Sequence, residues 1–524
     1  MLSAVLIFAA YLLYALYCLF DYTVFHLVED LQVTSFSQIL FNMNAGEGGG
    51  DAWNAAIQGF FDAHGKGLIF CGFLTIAGII LCLHFWRQKK AETEENRPSY
   101  STHAAMRALR IGSLALLVAT AFLTSARAAI GLNQVGFYRW VADQNTESTF
   151  YKDYYVNPKD TGIVFNQKKN LIYIFLESME TSYSDKADGG FYNENLIPNL
   201  TRMSKMNNSF GDGQTINGAQ VPMNAGWTTA AILAQTSGSP MIYIEPHGKV
   251  NGKQSDWTPQ DKFLPELVTM GDILEENGYK NYFACGSNSY FGGRHNYFAQ
   301  NGNYTVYDFM YLRDNGYLPE NEEEYRNDWG NYDKYLLENC KQFITEAAQS
   351  DEPFNFTLLT VDTHFPNGYI CSECKEEHET SMKNVISCSD RQVYQFVKWI
   401  QAQPFYKDTV VVVAGDHLSM STELGQEIKG YDRKTYFTIL NGPEYTGPKR
   451  EFSTLDIFPT VLSAVGARIE GNRLGLGANL YSAEPTLVES MGIAELNNQI
   501  PLGNEYFIEE VLKSDVNNAG IVHE

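Results

Sequence analysis

Three apolar segments of the chain end directly in residues whose side chains can bind metal ions or phosphate. The segments and the polar residues that follow them are 170–176 with Glu177, 354–361 with Asp362, Thr363 and His364, and 409–415 with Asp416 and His417. Continuous runs of β-branched and other apolar residues are typical of parallel strands covered on both faces. In open α/β sheets, ligands bind just beyond the carboxyl ends of such strands. The pattern therefore predicts one site where these side chains converge, as in a metalloenzyme.

Beyond residue 169 the pattern alternates between strands and helices. Further strands are predicted at 281–285 and 435–440, and helices at about 268–276, 331–348 and 389–403. Strands separated by helical stretches favour a mostly parallel sheet sandwiched by helices. The predicted fold class of this part is therefore α/β.

The first quarter of the chain contains three apolar segments that are long enough to span a bilayer. They lie at 2–20, 67–86 and 108–126, close to the length of about 20 residues that a membrane helix needs. A signal peptide is the alternative for the first segment, but a basic leading region and a small-residue cleavage site are both missing. We therefore predict a bundle of three transmembrane helices within residues 1–126.

Loop charge predicts the orientation of these helices. The loop 87–110 contains six Lys and Arg residues, whereas the loop before the second helix contains only Lys66. Loops rich in Lys and Arg lie in the cytoplasm, so the chain after the third helix is expected outside it. We divide that part into a juxtamembrane linker at 127–168, a catalytic domain at 169–484 and a C-terminal tail at 485–524.

The charge of the chain restricts its partners. The formal net charge is −23 and the pI is about 4.9, which argues against nucleic acid as a partner. A bulk anionic surface would also be repelled. An anionic lipid substrate would therefore need local positive groups or a metal ion.

Five cysteines follow the membrane segments. They are Cys285, Cys340, Cys371, Cys374 and Cys388. The spacing of Cys371 and Cys374 is similar to a zinc knuckle, but no second pair follows at ligand spacing. Because disulfides form readily outside the cytoplasm, we expect one or two of them, with Cys371 or Cys374 joined to Cys388 as one choice. Five is an odd number, so at least one thiol should stay free.

Thr228 lies at the start of a segment of small and apolar residues. Gly226 permits a tight turn, after which Thr228 or Thr229 can open a helix. Threonine is a common N-cap residue. It could equally be a nucleophile at a helix N-terminus, where amide groups and the helix dipole attract phosphate. The sequence leaves both interpretations open.

Glu177 and His364 also have purely structural alternatives. Taken alone, Glu177 could be a capped loop carboxylate and His364 a neutral, packed histidine. Asp416 and His417 follow a buried run directly, where a charged pair needs partners. The occurrence of all these elements in one chain favours a functional site.

Several short motifs of the chain resemble a known superfamily over about residues 169–482. They are Leu176-Glu177-Ser178, Gly226-Trp227-Thr228, Trp329 to Asp333, Thr363-His364-Phe365-Pro366, Gly415-Asp416-His417, Ser453 to Asp456 and Leu474 to Gly477. This combination resembles the alkaline phosphatase and sulfatase-like superfamily. More narrowly, it is similar to membrane-bound phosphoglycerol transferases, namely lipoteichoic acid synthases and periplasmic glucan phosphoglycerol transferases. Three membrane spans are more similar to the glucan-modifying branch.

The resemblance implies roles for individual residues. The family's metal ligands fall on Glu177, Thr228, Asp416 and His417, and its nucleophile falls on Thr228. The metal would be one divalent ion, manganese by resemblance, with magnesium or zinc as alternatives. Arg294 lies where the family has a phosphate-contacting arginine, although Gly292 replaces the aromatic residue usual two positions earlier. His364 matches a substrate-binding or acid/base histidine.

The resemblance also implies a function and a location. A phosphoglycerol group would pass from phosphatidylglycerol to a glycan or glycerol-polymer hydroxyl through a phospho-threonine intermediate. The protein would be a multi-pass protein of the bacterial cytoplasmic membrane, with its catalytic domain on the periplasmic or extracellular side. The alternatives are a phosphoethanolamine transferase, a phosphodiesterase or sulfatase-like hydrolase, and an inactive membrane-tethered binding protein. Sulfatases need a formylglycine precursor motif, Cys/Ser-x-Pro-x-Arg, and the sequence contains none.

Overall fold

The protein forms two compact units in a computed structural model. The structure describes residues 1–30, 33, 35–44, 50–94, 99–242, 262–503 and 506–512. One unit contains Met1–Phe36 and Gly49–Arg139, and the other contains Ser37–Gly48 and Trp140–Glu524. We call them the membrane unit and the catalytic unit, after the transmembrane bundle and the catalytic domain that the sequence predicts.

The α-helices of the described residues carry the labels used below. They are α1 (Leu2–Phe25), α2 (Phe36–Asn44), α3 (Gly50–Glu94), α4 (Tyr100–Gln134), α5 (Phe137–Gln144), α6 (Phe150–Tyr154), α7 (Pro198–Met206), α8 (Thr228–Ser237), α9 (Met270–Glu276), α10 (Arg294–Gln300), α11 (Phe309–Asp314), α12 (Glu322–Tyr325), α13 (Asp333–Ala347), α14 (Ser381–Gln401), α15 (Thr422–Glu427), α16 (Ile457–Ala464) and α17 (Leu487–Gln499).

The β-strands are labelled in the same way. They are β1 (Ile163–Phe165), β2 (Asn170–Leu176), β3 (Gly218–Ala219), β4 (Lys280–Cys285), β5 (Thr305–Tyr307), β6 (Phe354–Leu359), β7 (Thr409–Gly415), β8 (Thr435–Leu440), β9 (Ala467–Ile469), β10 (Arg473–Leu474) and β11 (Gly477–Ala478).

The membrane unit contains the three predicted transmembrane helices. The spans that are apolar and long enough to cross a bilayer are Leu2–Val28, Ile57–Thr93 and Tyr100–Gln134, so each is longer than predicted. Helix α1 packs on α4, where Thr124 Oγ1 donates a hydrogen bond of 2.9 Å to the carbonyl oxygen of Leu13. An ion pair of 2.5 Å between Arg127 and Asp21 joins the same two helices.

The catalytic unit is built on a sheet of seven strands in the order β3-β8-β7-β2-β6-β4-β5. The five strands from β7 to β5 are parallel, whereas β8 and β3 run antiparallel to their neighbours. This order confirms the predicted α/β fold. It also makes β7, β2 and β6, which end in the predicted site residues, direct neighbours.

Both faces of the sheet are buried. Val410 and Val412 of β7 belong to one hydrophobic cluster, and Val411 and Val413 belong to a second one. Successive side chains of a strand point to opposite faces, so the two clusters lie on the two faces of the sheet. The burial explains why these strands are apolar throughout rather than alternating.

The predicted helices differ from the observed ones mainly at one boundary. Helix α14 begins at Ser381, eight residues before the predicted start at 389. Thr380 caps it by accepting a hydrogen bond of 3.4 Å from the Lys383 amide. Met382 and Ile386 are buried in the first turns, so the apolar stripe of the helix begins well before the predicted position.

The catalytic unit extends beyond the predicted 169–484 in both directions. In the predicted linker, strand β1 pairs with β9, and Tyr151 is buried in the core. In the predicted tail, helix α17 begins with a capping box at Thr486, and Leu496 is fully buried. Residues 504–505 and 513–524 of that tail lie outside the described residues.

Candidate metal centre and active site

Glu177 lies directly after β2, and the surrounding backbone holds it in place. Its amide donates to Thr360 Oγ1 (3.0 Å), and its carbonyl oxygen accepts a hydrogen bond from Thr363 Oγ1 (2.5 Å). Ser178 adopts a left-handed φ of 53°, which turns the chain sharply at the strand end. The Ser178 hydroxyl donates to Glu177 Oε1 (2.8 Å). The carboxylate is therefore buried in a fixed position.

Asp416 and His417 follow β7, the strand next to β2. Asp416 Oδ1 accepts hydrogen bonds from the amides of Ser178 (2.8 Å) and His417 (2.7 Å). The other carboxylate oxygen, Oδ2, is buried and accepts no hydrogen bond from the described residues. His417 Nδ1 bonds the carbonyl oxygen of Leu418 (2.8 Å). The ring therefore presents Nε2, which lies 3.5 Å from Glu177 Oε1 and 3.4 Å from Asp416 Oδ2.

Thr228 is the first residue of α8, and its side chain does not cap the helix. The N-cap position belongs to Trp227. Thr228 Oγ1 instead lies 3.5 Å from Glu177 Oε2 and 3.4 Å from His417 Nε2. Of the two interpretations that the sequence allowed, the ordinary N-cap is therefore wrong. The hydroxyl is directed at the carboxylate and imidazole of the site.

Helix α8 is fixed to the strand that carries Asp416. Gln235 Nε2 donates to the carbonyl oxygens of Gly415 (3.0 Å) and Asp416 (3.1 Å), while its Oε1 accepts from the Tyr173 hydroxyl (2.7 Å). All of these groups are buried. Buried polar networks that are fully satisfied hold their elements rigidly, so the position of Thr228 relative to the site is defined.

The three ionisable side chains of the site shift one another's pKa. Burial, together with the nearby Glu177 carboxylate, raises the pKa of Asp416 to about 7. Burial opposes ionisation of Glu177, but His417 and His364 outweigh it and lower the pKa of Glu177. Burial likewise opposes the charging of His417, and Asp416 and Glu177 nevertheless raise its pKa. Without a cation, the site therefore retains protons that a cation would displace.

The residues fit one divalent metal ion. One ligand atom each from Glu177, Asp416 and His417 lie within 4.8 Å of one another. Two carboxylates and an imidazole, with the Thr228 hydroxyl beside them, suit manganese, zinc or magnesium. A cation at this point would also satisfy the buried Asp416 Oδ2, whose isolation is otherwise costly.

His364 lies in the loop after β6, at the edge of this group. Its Nδ1 bonds the carbonyl oxygen of Phe365 (2.8 Å), and its ring centroid lies 4.6 Å from that of Trp329. Burial lowers the pKa of His364, although Glu177 acts in the opposite direction. Burial therefore favours the neutral form of the ring, and the Phe365 carbonyl engages Nδ1 rather than Nε2.

Arg294 is buried near the site, but two of its donors are engaged in its own loop. Its Nε donates to the carbonyl oxygen of Phe291 (3.0 Å), and Nη2 donates to that of Asn288 (2.9 Å). Its charge contributes to the lowered pKa of His364. The structure therefore brings Arg294 into electrostatic range of the site and uses part of its guanidinium to shape the loop.

Gly292, the departure from the family pattern, has a local structural reason. It adopts a left-handed φ of 65°, and its carbonyl oxygen accepts a hydrogen bond from Thr229 Oγ1 (3.1 Å). A Cβ atom at residue 292 would lie 2.7 Å from that hydroxyl oxygen. The loop therefore approaches the start of α8 more closely than a side chain would permit.

Glu180 and Arg433 support the site and were not predicted from the sequence. Glu180 is fully buried and forms a bidentate ion pair with Arg433. Glu180 Oε1 also accepts from the Ser419 amide (2.7 Å). The pair thus joins the turn after Glu177 to the turn after His417. Glu180 could have been noticed in the sequence, because it is a charged residue three positions after Glu177 and close to a buried strand. No sequence pattern indicated a role for Arg433.

Asp333 and Asp362 hold the loop that carries His364. The Asp333 carboxylate accepts from the amides of Val361 (2.7 Å) and Asp362 (3.0 Å), and Asp362 Oδ2 accepts from the Asp333 amide (3.0 Å). Burial raises the pKa of Asp333 to about 7 and raises that of Asp362 well above its usual range, where Asp333 adds to the effect. Burial and the neighbouring carboxyl group therefore oppose the ionisation of this pair.

Comparison with known proteins adds a family and several relatives. The sulfatase family model matches residues 169–467. Phosphoglycerol transferase I of Salmonella choleraesuis (strain SC-B67) is 31% identical over 339 residues, which are 63% of this chain and 41% of that protein. The match thus spans less than half the length of this curated relative.

Two solved structures show a more distant likeness. The lipoteichoic acid synthase LtaP from Listeria monocytogenes is 18% identical, with a TM-score of 0.46 and coverage of 62% of this chain and 79% of that one. A phosphoglycerol transferase from Streptococcus pyogenes, in complex with sn-glycerol-1-phosphate, is 14% identical, with a TM-score of 0.41 and coverage of 71% and 93%.

Proposed function

Because the chain belongs to the sulfatase family, we propose that it is a membrane-anchored, metal-dependent phosphoglycerol transferase with Thr228 as its nucleophile. The observation that carries the proposal is the position of Thr228 Oγ1, within 3.5 Å of both Glu177 and His417 at the start of a helix. The similarity to phosphoglycerol transferase I supports the choice of the transferred group.

Glu177, Asp416, His417 and Thr228 would hold one divalent metal ion, for which we propose manganese. A bound divalent ion lowers the pKa of a coordinated hydroxyl and polarises phosphoryl oxygens. The protein contributes a fixed, water-poor site, because Glu177, Asp416 and His417 are at most 2% exposed. The N-terminal amides of α8 add a positive field for the phosphate.

In the first step, Thr228 Oγ1 attacks the phosphorus atom of phosphatidylglycerol. A bond from Oγ1 to phosphorus forms, the bond to the diacylglycerol oxygen breaks, and neutral His364 accepts the proton of the Thr228 hydroxyl and passes it to that oxygen. Diacylglycerol leaves, and the phosphoglycerol group stays on Thr228 as a phosphodiester. The charge of Arg294 offsets the negative charge that develops on the phosphoryl oxygens.

In the second step, neutral His364 accepts the proton of an acceptor hydroxyl, which attacks the same phosphorus atom. The bond from Thr228 to phosphorus breaks, His364 passes the accepted proton to Thr228 Oγ1, and the Thr228 hydroxyl and neutral His364 are both regenerated. This exchange of general acid and general base balances the protons over the two steps. The acceptor in the proposal is a glycan or glycerol-polymer hydroxyl.

The membrane unit gives the proposal its location. Three spans anchor the chain, and the basic loop 87–110 favours a cytoplasmic position for that loop. In our proposal the catalytic unit therefore works on the periplasmic or extracellular side of a bacterial cytoplasmic membrane. An anionic phospholipid of the same membrane is the donor.

The test uses the full chain in detergent with manganese and phosphatidylglycerol, followed by mass spectrometry of the intact protein and its peptides. We expect a glycerophosphate adduct on the peptide that contains Thr228. Thr228→Val removes only the hydroxyl and should abolish the adduct. The matched control Thr229→Val removes the neighbouring hydroxyl, which bonds Gly292, and should keep it. An unchanged adduct in Thr228→Val would refute the nucleophile.

The other functions of the same superfamily give different results in this test. An adduct only with phosphatidylethanolamine would indicate a phosphoethanolamine transferase. Release of glycerophosphate to water without any acceptor dependence would indicate a hydrolase. A folded protein that retains no metal and forms no adduct would be a membrane-tethered binding protein.

A further inference from the structure

Three cysteines meet at a place that the proposed reaction does not use. Cys371 and Cys374 lie in the loop after β6, and Cys388 lies in α14. The sulfur of Cys371 is 3.7 Å from that of Cys374 and 3.9 Å from that of Cys388. All three sulfurs lie within 4.8 Å of one another. The disulfide expected from Cys371 or Cys374 to Cys388 is not formed in the structure.

The distances between the sulfur atoms fit three sulfurs bound to one metal ion better than they fit a disulfide bond. Thiolates bind zinc at about 2.3 Å in tetrahedral geometry, which places two sulfurs about 3.8 Å apart. The sulfurs of a disulfide are about 2.0 Å apart. Both separations from Cys371, 3.7 and 3.9 Å, are close to the tetrahedral value. A disulfide would also use two of the three sulfurs and leave the third as a free thiol beside it.

Hydrogen-bond donors and a positive charge lie near the sulfurs, as is typical of thiolates. Gln392 Nε2 donates to the sulfurs of Cys388 (3.1 Å) and Cys371 (3.4 Å). Donors of this kind orient metal-bound ligands and stabilise their charge. Lys334 adds a positive charge beside the loop, where it donates to Ser372 Oγ (2.7 Å).

We propose that Cys371, Cys374 and Cys388 bind a second metal ion, zinc, at a site separate from the Glu177, Asp416 and His417 group. Thiolates select soft or borderline ions, whereas the carboxylates of the first site suit harder ones. Among the described residues, no fourth His, Cys, Asp or Glu joins the three sulfurs. A water molecule or an added ligand completes the tetrahedron.

The role of this ion is to fasten the loop that carries His364 to the body of the unit. Cys388 belongs to α14, which is packed in the core, whereas Cys371 and Cys374 lie in an irregular segment seven and ten residues after His364. The same segment is tied at its other end, where the Tyr369 amide donates to the Asp362 carbonyl oxygen (2.7 Å). A metal ion would thus order the loop at low entropic cost.

The first test measures zinc and manganese by mass spectrometry after the full chain is purified in detergent and dialysed. We expect about one equivalent of zinc in the wild type. Cys388→Ser and Cys374→Ser should each lose it, whereas Asp416→Asn should lose only the manganese. Cys71→Ser, in the membrane unit, is the matched control and should keep both metals. Zinc that disappears with Asp416→Asn but persists in both cysteine variants would overturn the proposal.

The second test separates the metal from a disulfide and does not depend on enzyme activity. Cobalt(II) in place of zinc should give thiolate-to-cobalt charge-transfer absorption in the near ultraviolet, which Cys374→Ser and Cys388→Ser should remove. Alkylation of the unfolded, unreduced protein should label all three cysteines. A disulfide from Cys371 to either partner, without bound zinc, would refute the site and leave the proposed transfer reaction untouched.

Discussion

The backbone amide of Ser178 donates a hydrogen bond of 2.8 Å to Asp416 Oδ1, and this bond joins the ends of two neighbouring parallel strands at the candidate metal centre. Leu176 and Gly415 are paired in the sheet immediately before it. Because Oδ1 is used in this way, only Oδ2 remains for a cation. The same hydrogen bond that closes the turn after β2 therefore orients the carboxylate that we propose as a metal ligand.

Asp416→Asn should separate the two roles of this side chain, which are the hydrogen bond to Ser178 and the proposed binding of the metal ion. The amide oxygen of asparagine can still accept from Ser178, so we expect the melting temperature to change little or to rise, since a buried charge is removed. Metal at this site should be lost, and transfer should fall by at least about 100-fold. Metal content, a thermal melt and the adduct assay together test this. Retention of manganese and of full activity would show that Asp416 is not a ligand.

His364→Gln should affect the chemistry and spare the metal. If the imidazole transfers protons in both steps, kcat should fall by about 10²–10⁴-fold while manganese content stays at the wild-type value. His103→Gln, at an exposed residue of α4, is the control and should behave as the wild type. Loss of metal in His364→Gln, or a change in KM alone, would argue against an acid/base role.

Arg433→Gln should destabilise the catalytic unit without touching the site directly. It leaves the fully buried Glu180 carboxylate without its partner, which costs about 3–5 kcal/mol in comparable buried pairs. The double variant Glu180→Gln with Arg433→Gln should recover part of that loss, because no charge is left unpaired. Chemical denaturation measures the free energy of unfolding.

The control for this pair is Arg313→Gln, which removes an exposed ion pair with Asp314. Exposed pairs contribute about 0–1 kcal/mol, so the control should remain close to the wild type. Equal stability of Arg433→Gln and the wild type would show that the hydrogen bonds from Ser182 and Ser419 are enough to hold the Glu180 carboxylate.

The convergence of Glu177, Asp416 and His417 could be predicted from the sequence because these residues share one physical cause. Glu177, Asp416 and His417 each follow a strand that is buried on both faces, and such strands are recognisable as uninterrupted apolar runs. Parallel strands end at the same edge of a sheet, so adjacency of β2 and β7 is enough to bring the side chains together. The register of these two strands did not have to be known.

Features that depend on distant pairing could not be predicted in this way. Glu180 and Arg433 are 253 residues apart, and no local pattern links them. Cys388 joins the pair at Cys371 and Cys374 from a helix whose predicted start at 389 lay just after it. The predicted boundary thus placed Cys388 outside the helix, and the disulfide itself was expected because the domain was predicted to lie outside the cytoplasm.

Asp390 should make the stability of the catalytic unit depend on pH. Its carboxylate, on α14, accepts from the Leu200 amide (2.8 Å) and from Asn199 Nδ2 (2.7 Å) at the start of α7. Burial nevertheless raises the pKa of Asp390 to about 6. The folded state thus binds this proton more tightly than the unfolded state does. Stability should therefore fall as the pH rises from about 4 through about 6 and level off above it.

The measurement compares the free energy of unfolding of wild type and Asp390→Asn between pH 4.5 and 7.5 with chelator present. The pKa of Asp390 differs by about two units between the folded and unfolded states, which corresponds to a change of at most about 3 kcal/mol in the free energy of unfolding. Asparagine cannot titrate, so the variant should lose this part of the pH dependence. Its free energy of unfolding should therefore increase relative to that of the wild type as the pH rises. The other titrating groups are common to both proteins and cancel in the difference. Parallel pH profiles would mean that the hydrogen bonds from α7 keep Asp390 ionised throughout.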